Sequence, residues 1–325
     1  MAVFVVLIII SNVLLSAVYY VNKVMLNSNF YQLTYYLFNG KAGSGSFKVV
    51  MDTIITCIPF ALLSIIVTVL PIILVKHFKW FAVKKFIKIY VISLLCFCVL
   101  LTLHSYQFDD YVINKSKKTD IYKYYKDTNK VNVSFKGKKR NLILIYLESV
   151  ESSLMSKENG GLFNKSRIPE LETLALENDN FSNTDKLGGG KNLTVSSFTM
   201  ASLVASSSGT PLDIKIFGGY NEKNKIMPEV KTLGDILKEN GYNLKVIQGT
   251  DINFSATDQY YKIHGDYEIV DYNEMIKKGY VPKGYLEWWG IEDKKMFEIS
   301  KKEILETAKK RNAICCYYVY NGYSF

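Results

Sequence analysis

The sequence predicts an α/β domain with a mostly parallel sheet, preceded by three transmembrane helices. Three observations carry this expectation. Nearly all uncharged apolar runs of bilayer-crossing length fall in the first 105 residues. After about residue 140, apolar runs of strand length alternate with segments of helical spacing. Strand, helix, strand, helix, strand is the order that builds a parallel sheet covered by helices.

The spans come first. Residues 2–20, 52–75 and 87–104 are apolar and almost free of charge, and a bilayer core needs about 20 such residues in helical form. Pro71 sits near the end of the second run, where a kink is tolerated. The first run has no basic segment ahead of it and two more spans follow, which argues against a cleaved leader. The loop between the second and third runs carries Lys76, Lys79, Lys84, Lys85 and Lys88, whereas 21–50 carries only Lys23, Lys41 and Lys48. The positive-inside rule then places the N-terminus in the cytoplasm and everything after about Tyr106 outside it. The expectation is a multi-pass cell-membrane protein. A net charge of +10 suits anionic lipid headgroups better than nucleic acid for a domain so placed.

Five cysteines give neither a disulfide framework nor metal-site spacing: Cys57, Cys96 and Cys98 lie inside spans, and Cys315 and Cys316 are adjacent. They read as apolar filler. The expected organisation is a transmembrane domain over 1–105, a juxtamembrane linker with some helix along the membrane surface over 106–139, and an α/β domain over 140–325.

Within that last domain, KGKKR (136–140) reads as a solvated turn, and NLILIYLE (141–148) as a central strand buried on both faces. Residues 168–178 have helical spacing, with Leu171, Leu174 and Ala175 on one face. Residues 230–240 form a second helix stopped by Gly241, 242–248 a strand, 293–309 a charged amphipathic helix and 313–320 a last apolar strand.

Ligands of open α/β sheets bind beyond the carboxyl ends of the strands. Glu148 stands at such an end, placed either to hold a divalent metal or simply to face solvent. The stretch 188–212 is a glycine- and hydroxyl-rich loop running into a small-residue helix that stops at Gly209-Thr210-Pro211. Thr199 falls near the start of that helix, where unpaired N–H groups and the dipole favour an anionic oxygen. A metal-activated threonine alkoxide attacking phosphorus would use that environment, and an ordinary cap in a Ser/Thr-rich loop would look the same.

The segments KKRNLILIYLESVESSL, IPELETLALENDNFSN, SSFTMASLVASSSGTPL, TLGDILKENGYNLKVIQGTDINFS and WWGIEDKKMF occur in that order. Together they resemble the catalytic domain of the alkaline-phosphatase/sulfatase superfamily. Within it, the chain is similar to the membrane-anchored phosphoglycerol transferases, the lipoteichoic acid synthases and the enzymes that decorate membrane-derived oligosaccharides. Residues 27–45 resemble the outer loop between spans in the latter branch.

The resemblance implies an alkaline-phosphatase-like fold and transfer of glycerol phosphate from phosphatidylglycerol to a glycan or polyglycerol-phosphate acceptor. It implies that Glu148 is a metal ligand and that Thr199 is both nucleophile and metal ligand, with Thr194 and Ser196 as neighbouring alternatives. The metal implied is divalent, manganese first, with zinc or magnesium as alternatives. Asp251 and Asn253 fall in the loop that helps hold substrate, here without the Trp/Arg pair of the lipoteichoic acid synthases. His264 matches a structural turn expected at the surface.

The family's Asp-His metal ligands lie downstream, and the sequence stops at Phe325 before them, so the expectation is a C-terminally truncated catalytic domain with weak metal binding. A frameshift or early stop would account for the tail, and the final strand would be an uncovered apolar edge. Phosphoethanolamine transfer, sulfate-ester hydrolysis and a non-catalytic truncated remnant are the alternative readings. The modifiable-residue motif of sulfatases is absent from the sequence, as are the paired cysteines common around the nucleophile in phosphoethanolamine transferases.

Overall fold

The computed structural model describes residues 2–23, 28–40, 46–78, 82–118, 120–124, 126–182, 184–190, 193–215, 218–287, 290–309 and 314–320. The chain divides into two compact units, Met1–Tyr125 with Ile214–Gly219, and Lys126–Asp213 with Tyr220–Phe325.

The first unit contains α1 (Ala2–Lys23), α2 (Phe30–Asn39), α3 (Ser46–His77), α4 (Val83–Ser105), α5 (Phe108–Lys115) and the single turn α6 (Ile121–Tyr124). Among the described residues, α1, Val50–His77 within α3, and α4 are long and apolar enough to cross a membrane. A polar knot ties α1 to α3. Asn12 Nδ2 donates to Thr68 Oγ1 at 3.0 Å, and Ser64 Oγ donates to Asn12 Oδ1 at 2.7 Å. In an apolar surrounding, such side chains satisfy one another across helices and fix which faces meet. Tyr90 on α4 adds a hydrogen bond to the carbonyl of Thr68 at 3.1 Å. Residues of the 214–219 segment belong to this unit: Gly219 lies so close to α2 that a Cβ would stand 2.6 Å from the Phe38 carbonyl oxygen.

The second unit is an α/β domain. Its strands are β1 (Leu142–Leu147), β2 (Asn243–Gln248), β3 (Glu268–Val270) and β4 (Ile314–Tyr320). They form a parallel sheet in the order β1-β4-β2-β3. The helices are α7 (Pro169–Glu177), α8 (Thr199–Ser208), α9 (Leu233–Glu239), α10 (Thr257–Ile263), α11 (Tyr272–Lys277) and α12 (Asp293–Ala308). Apolar residues of β2, β3, α11 and α12, including Ile247, Val270, Met275, Met296 and Ile299, make one buried core.

Four expectations need correction. The strand over 142–147 lies at the edge of the four described strands, not at the centre, and Ile143 and Ile145 on one of its faces are 45% and 51% exposed. The strand expected at the edge, β4, is interior: it pairs with β1 along its whole length and with β2 from Asn243↔Ile314 to Gln248↔Val319. Both strands are apolar runs, and composition alone cannot rank their places in the sheet. In α7 the buried residue is Glu172, not Leu174, which is exposed. Its carboxylate accepts from the backbone N–H and hydroxyl of Ser156 and from the amide of Asn159, at 3.1, 2.5 and 2.5 Å, which makes a buried acid tolerable. These hydrogen bonds, that of the Ser156 hydroxyl first, hold Glu172 down to a pKa of about 2.

His264 is the fourth. It is 3% exposed rather than at the surface. Its Nδ1 lies 3.2 Å from Asp235 Oδ2 and its Nε2 lies 3.0 Å from the Ile226 carbonyl oxygen. Both ring nitrogens are engaged, so the imidazole pins α9 to the loop ahead of it.

On the α12 side of the sheet, Glu303 is fully buried. It accepts from Lys245 Nζ at 2.6 Å, Lys278 Nζ at 2.7 Å and Tyr280 Oη at 2.6 Å. Burial pushes its pKa up, but those donors more than offset this and hold it at about 2.

Candidate active site

The carboxyl ends of the parallel strands share one edge of the sheet. Glu148 directly follows β1 there, and the backbone turns at once, with Ser149 in the left-handed region at φ 62°. A non-glycine residue pays for that conformation, and such strain concentrates at sites where side-chain aim matters.

Helix α8 brings the second residue. Thr199 opens the helix, Phe198 is its N-cap without a side-chain cap hydrogen bond, and Gly209 closes it in the left-handed region. Thr199 Oγ1 donates to Glu148 Oε1 at 2.6 Å, and the Tyr146 hydroxyl lies 2.9 Å from Ser206 Oγ. Positions 146 and 148 share one face of a strand, and 199 and 206, two turns apart, share one face of a helix. The helix therefore runs antiparallel to β1 and points its N-terminus at the carboxyl edge. Two further contacts hold its other flank to α10: Ser207 Oγ lies 2.6 Å from the Tyr260 hydroxyl, and Thr257 Oγ1 lies 3.6 Å from Met200 Sδ. Burial raises the pKa of Tyr260, so its hydroxyl stays a neutral brace.

Burial also raises the pKa of Glu148, with the Thr199 hydrogen bond pulling the other way. A carboxylate desolvated in this way gains from a cation or a donated proton. Of the alternatives to Thr199, Ser196 hydrogen-bonds within its own turn, its Oγ 3.2 Å from both the N and the O of Leu193. The Thr194 side chain lies outside the described residues.

Asp251 and Asn253 follow β2 at the same sheet edge. Neighbouring strands are about 4.8 Å apart, so with β4 between them, the exits of β1 and β2 are separated by roughly 10 Å. Asp251 Oδ1 accepts from the backbone N–H and side-chain amide of Asn253, at 3.0 and 2.8 Å. The structure thus brings Glu148 and Thr199 into contact, while Asp251 and Asn253 close a turn with each other. Gln248, at the end of β2, was not singled out by sequence reasoning. Its Nε2 donates to Thr250 Oγ1 at 2.6 Å, and nothing in an apolar strand pattern flags a buried amide at its end.

A carboxylate and a hydroxyl are hard oxygen donors, the type that divalent cations accept. The chemistry of this pair, with a half-buried acid beside a helix N-terminus, therefore fits such a cation. Among the described residues, no cluster of three or more His, Cys, Asp or Glu side chains surrounds it.

Sequence comparison assigns this α/β unit to a family. The sulfatase family profile matches residues 140–319, and the chain belongs to that family. Phosphoglycerol transferase I of Escherichia coli O6:K15:H31 (strain 536 / UPEC) is 30% identical over 191 residues, which are 58% of this chain and 23% of that protein. The protein of the same name from Shigella boydii serotype 18 (strain CDC 3083-94 / BS512) gives the same figures. The matched region thus spans about a quarter of the length of these relatives. Among solved structures, an alkaline phosphatase superfamily protein from Vibrio parahaemolyticus has a TM-score of 0.40 at 19% identity, over 59% of this chain and 43% of that one. The lipoteichoic acid synthase LtaP from Listeria monocytogenes has a TM-score of 0.40 at 16% identity, over 57% and 41%.

Proposed function

We propose that the protein transfers glycerol phosphate from phosphatidylglycerol to a glycan or polyglycerol-phosphate acceptor, with Thr199 as nucleophile. The 2.6 Å hydrogen bond between Thr199 and Glu148, at a helix N-terminus on the carboxyl edge of a parallel sheet, is the observation that carries this reading. The phosphoglycerol transferase I relatives supply the substrate class. The three apolar helices support a membrane setting for a lipid donor, and the lysine distribution favours an extracytoplasmic catalytic unit.

In this reading Glu148 holds the hydroxyl hydrogen of Thr199 and aims an Oγ1 lone pair away from itself, toward the open edge. Oγ1 attacks phosphorus, the new O–P bond forms, and the bond from phosphorus to the diacylglycerol oxygen breaks. The threonine proton leaves through Glu148, and the departing oxygen takes up a proton to give diacylglycerol. The acceptor hydroxyl then attacks the same phosphorus, the bond from phosphorus to Oγ1 breaks, and the acceptor's proton passes through Glu148 to Oγ1, which restores Thr199. The N-terminal end of α8 offsets negative charge on the phosphoryl oxygens. Glu148 and Thr199 would hold a divalent cation, with manganese favoured, and that ion would supply Lewis-acid stabilisation of the attacking and phosphoryl oxygens. Asp251 and Asn253 are proposed to border the substrate from the β2 side.

The test is release of diacylglycerol from fluorescent phosphatidylglycerol by the detergent-solubilised full chain with manganese. Release is expected from the wild type, with a loss of at least about 100-fold for Thr199→Ala, since a missing nucleophile leaves only binding and electrostatics. A folded wild-type chain that releases no diacylglycerol would sink the proposal, as would a Thr199→Ala variant of undiminished activity.

A further inference from the structure

Two short helices at one end of the apolar bundle have surfaces that neither needs for packing within its unit. Successive spans reverse direction, so the C-terminal ends of α1 and α4 face the same side, and α2 and α5 both follow those ends. Helix α5 starts three residues after α4 stops, which confines it to the level where that span leaves the apolar layer.

The two helices meet through aromatic rings. The ring centroid of Phe30 lies 5.0 Å from that of Phe108 and 4.9 Å from that of Tyr111, and the Tyr31 centroid is 5.6 Å from Tyr111. Beyond this seam the apolar surface continues outward. Leu37, two turns along α2 from Phe30 and on the same stripe, is 77% exposed, and Val112 and Ile113 on α5 are each 52% exposed. Exposed cations follow directly, at Lys115, Lys117 and Lys118. Tyrosine and phenylalanine at the ends of spans, apolar side chains turned outward and a trailing run of lysines are what a bilayer's headgroup layer accepts, with anionic headgroups meeting the lysines. A water-facing surface would leave three-carbon and four-carbon branched side chains uncovered on helices of only ten and eight residues.

We propose that α2 and α5 form a membrane-surface platform that lies in the headgroup layer and gathers phospholipid beside the spans. The occupant is the bilayer itself, and no part of the inference requires turnover, so it stands or falls apart from the reaction above.

The unmodified full chain, reconstituted in nanodiscs of phosphatidylcholine and phosphatidylglycerol, would be photocrosslinked to two lipids. One carries a diazirine close to the headgroup and the other at the end of the acyl chain. The expected result is adducts from the headgroup-proximal lipid on peptides covering 30–39 and 108–115, and adducts from the chain-terminal lipid on α1, α3 and α4. With Leu37→Glu and Ile113→Glu together, headgroup-proximal adducts on the two short helices should fall at least about threefold while those on the spans persist. Absence of adducts on both short helices while the spans are labelled would overturn the proposal. So would labelling of those helices by the chain-terminal lipid alone, or a doubly substituted chain labelled as the wild type is.

Discussion

Glu148 pulls in two directions. Burial raises its pKa, so the ionised form, the one suited to accept from Thr199 or a cation, is the form the folded chain accommodates less well. A carboxyl whose folded pKa lies above its unfolded value stabilises the fold only below that unfolded value, and the contribution is lost as pH rises through the folded pKa. Glu148→Gln should therefore raise the thermal midpoint in EDTA, more at pH 8 than at pH 5. The same variant should lower diacylglycerol release by about 100-fold, the low end of what a positioned base contributes. Thermal scans at the two pH values beside the activity assay check both halves. A variant less stable than the wild type at pH 8 would show that the carboxylate holds the fold together. The pair itself was half legible beforehand. Glu148 could be placed at a strand exit and Thr199 at a helix start from local pattern alone, but their contact spans 51 positions of sequence and needed the helix to run antiparallel to β1.

At the scale of elements, close packing overrides local preference. Gly234 sits inside α9, where alanine is the better helix former by about 1 kcal/mol. Yet a Cβ there would lie 2.6 Å from the His264 carbonyl oxygen and 2.6 Å from the Tyr267 hydroxyl. Overpacking of that kind costs about 1–3 kcal/mol, so Gly234→Ala is expected to destabilise the unit, as read by its urea midpoint. A capping box of Thr232 with Asp235 opens this helix. The role of Asp235 as partner of a buried histidine was not legible in the sequence, because His264 comes from a turn that looks solvated when read by its glycine and aspartate neighbours. For α7 the failure was similar. Helical spacing marked apolar positions, while burial went to Glu172, whose donors come from a loop with no periodic signal.

On the scale of the whole molecule, the second unit depends on charge buried beneath its sheet. Lys245 on β2, Lys278 beyond α11 and Tyr280 all converge on Glu303 of α12. Its pKa falls from an ordinary 4.5 to about 2 in the folded chain, so its stabilising contribution is complete above about 4.5 and drains away as pH drops toward 2. Glu303→Ala takes the buried counter-charge from Lys278 and leaves Lys245 with Glu268 alone, and should cost about 3 kcal/mol at pH 7, with the penalty shrinking as the wild type is acidified. Denaturant titrations of both proteins at pH 7 and pH 3 test this, and a penalty unchanged at pH 3 would argue against it. The alternation of strands and helices was legible in the sequence. The strand order was not, since apolar runs do not say which strand comes between which.

That order has a consequence for how the chain is made. Because β4 lies between β1 and β2, the first strand synthesised has no described neighbour in the sheet until residues 314–320 emerge, roughly 170 residues after it. At about 5–20 residues per second, a nascent chain carries an apolar, half-finished sheet edge for on the order of ten to thirty seconds. Throughout that interval β1 has no partner among the described strands. Pairing among the described strands is thus completed late, because β1 gains its neighbour only when β4 is translated.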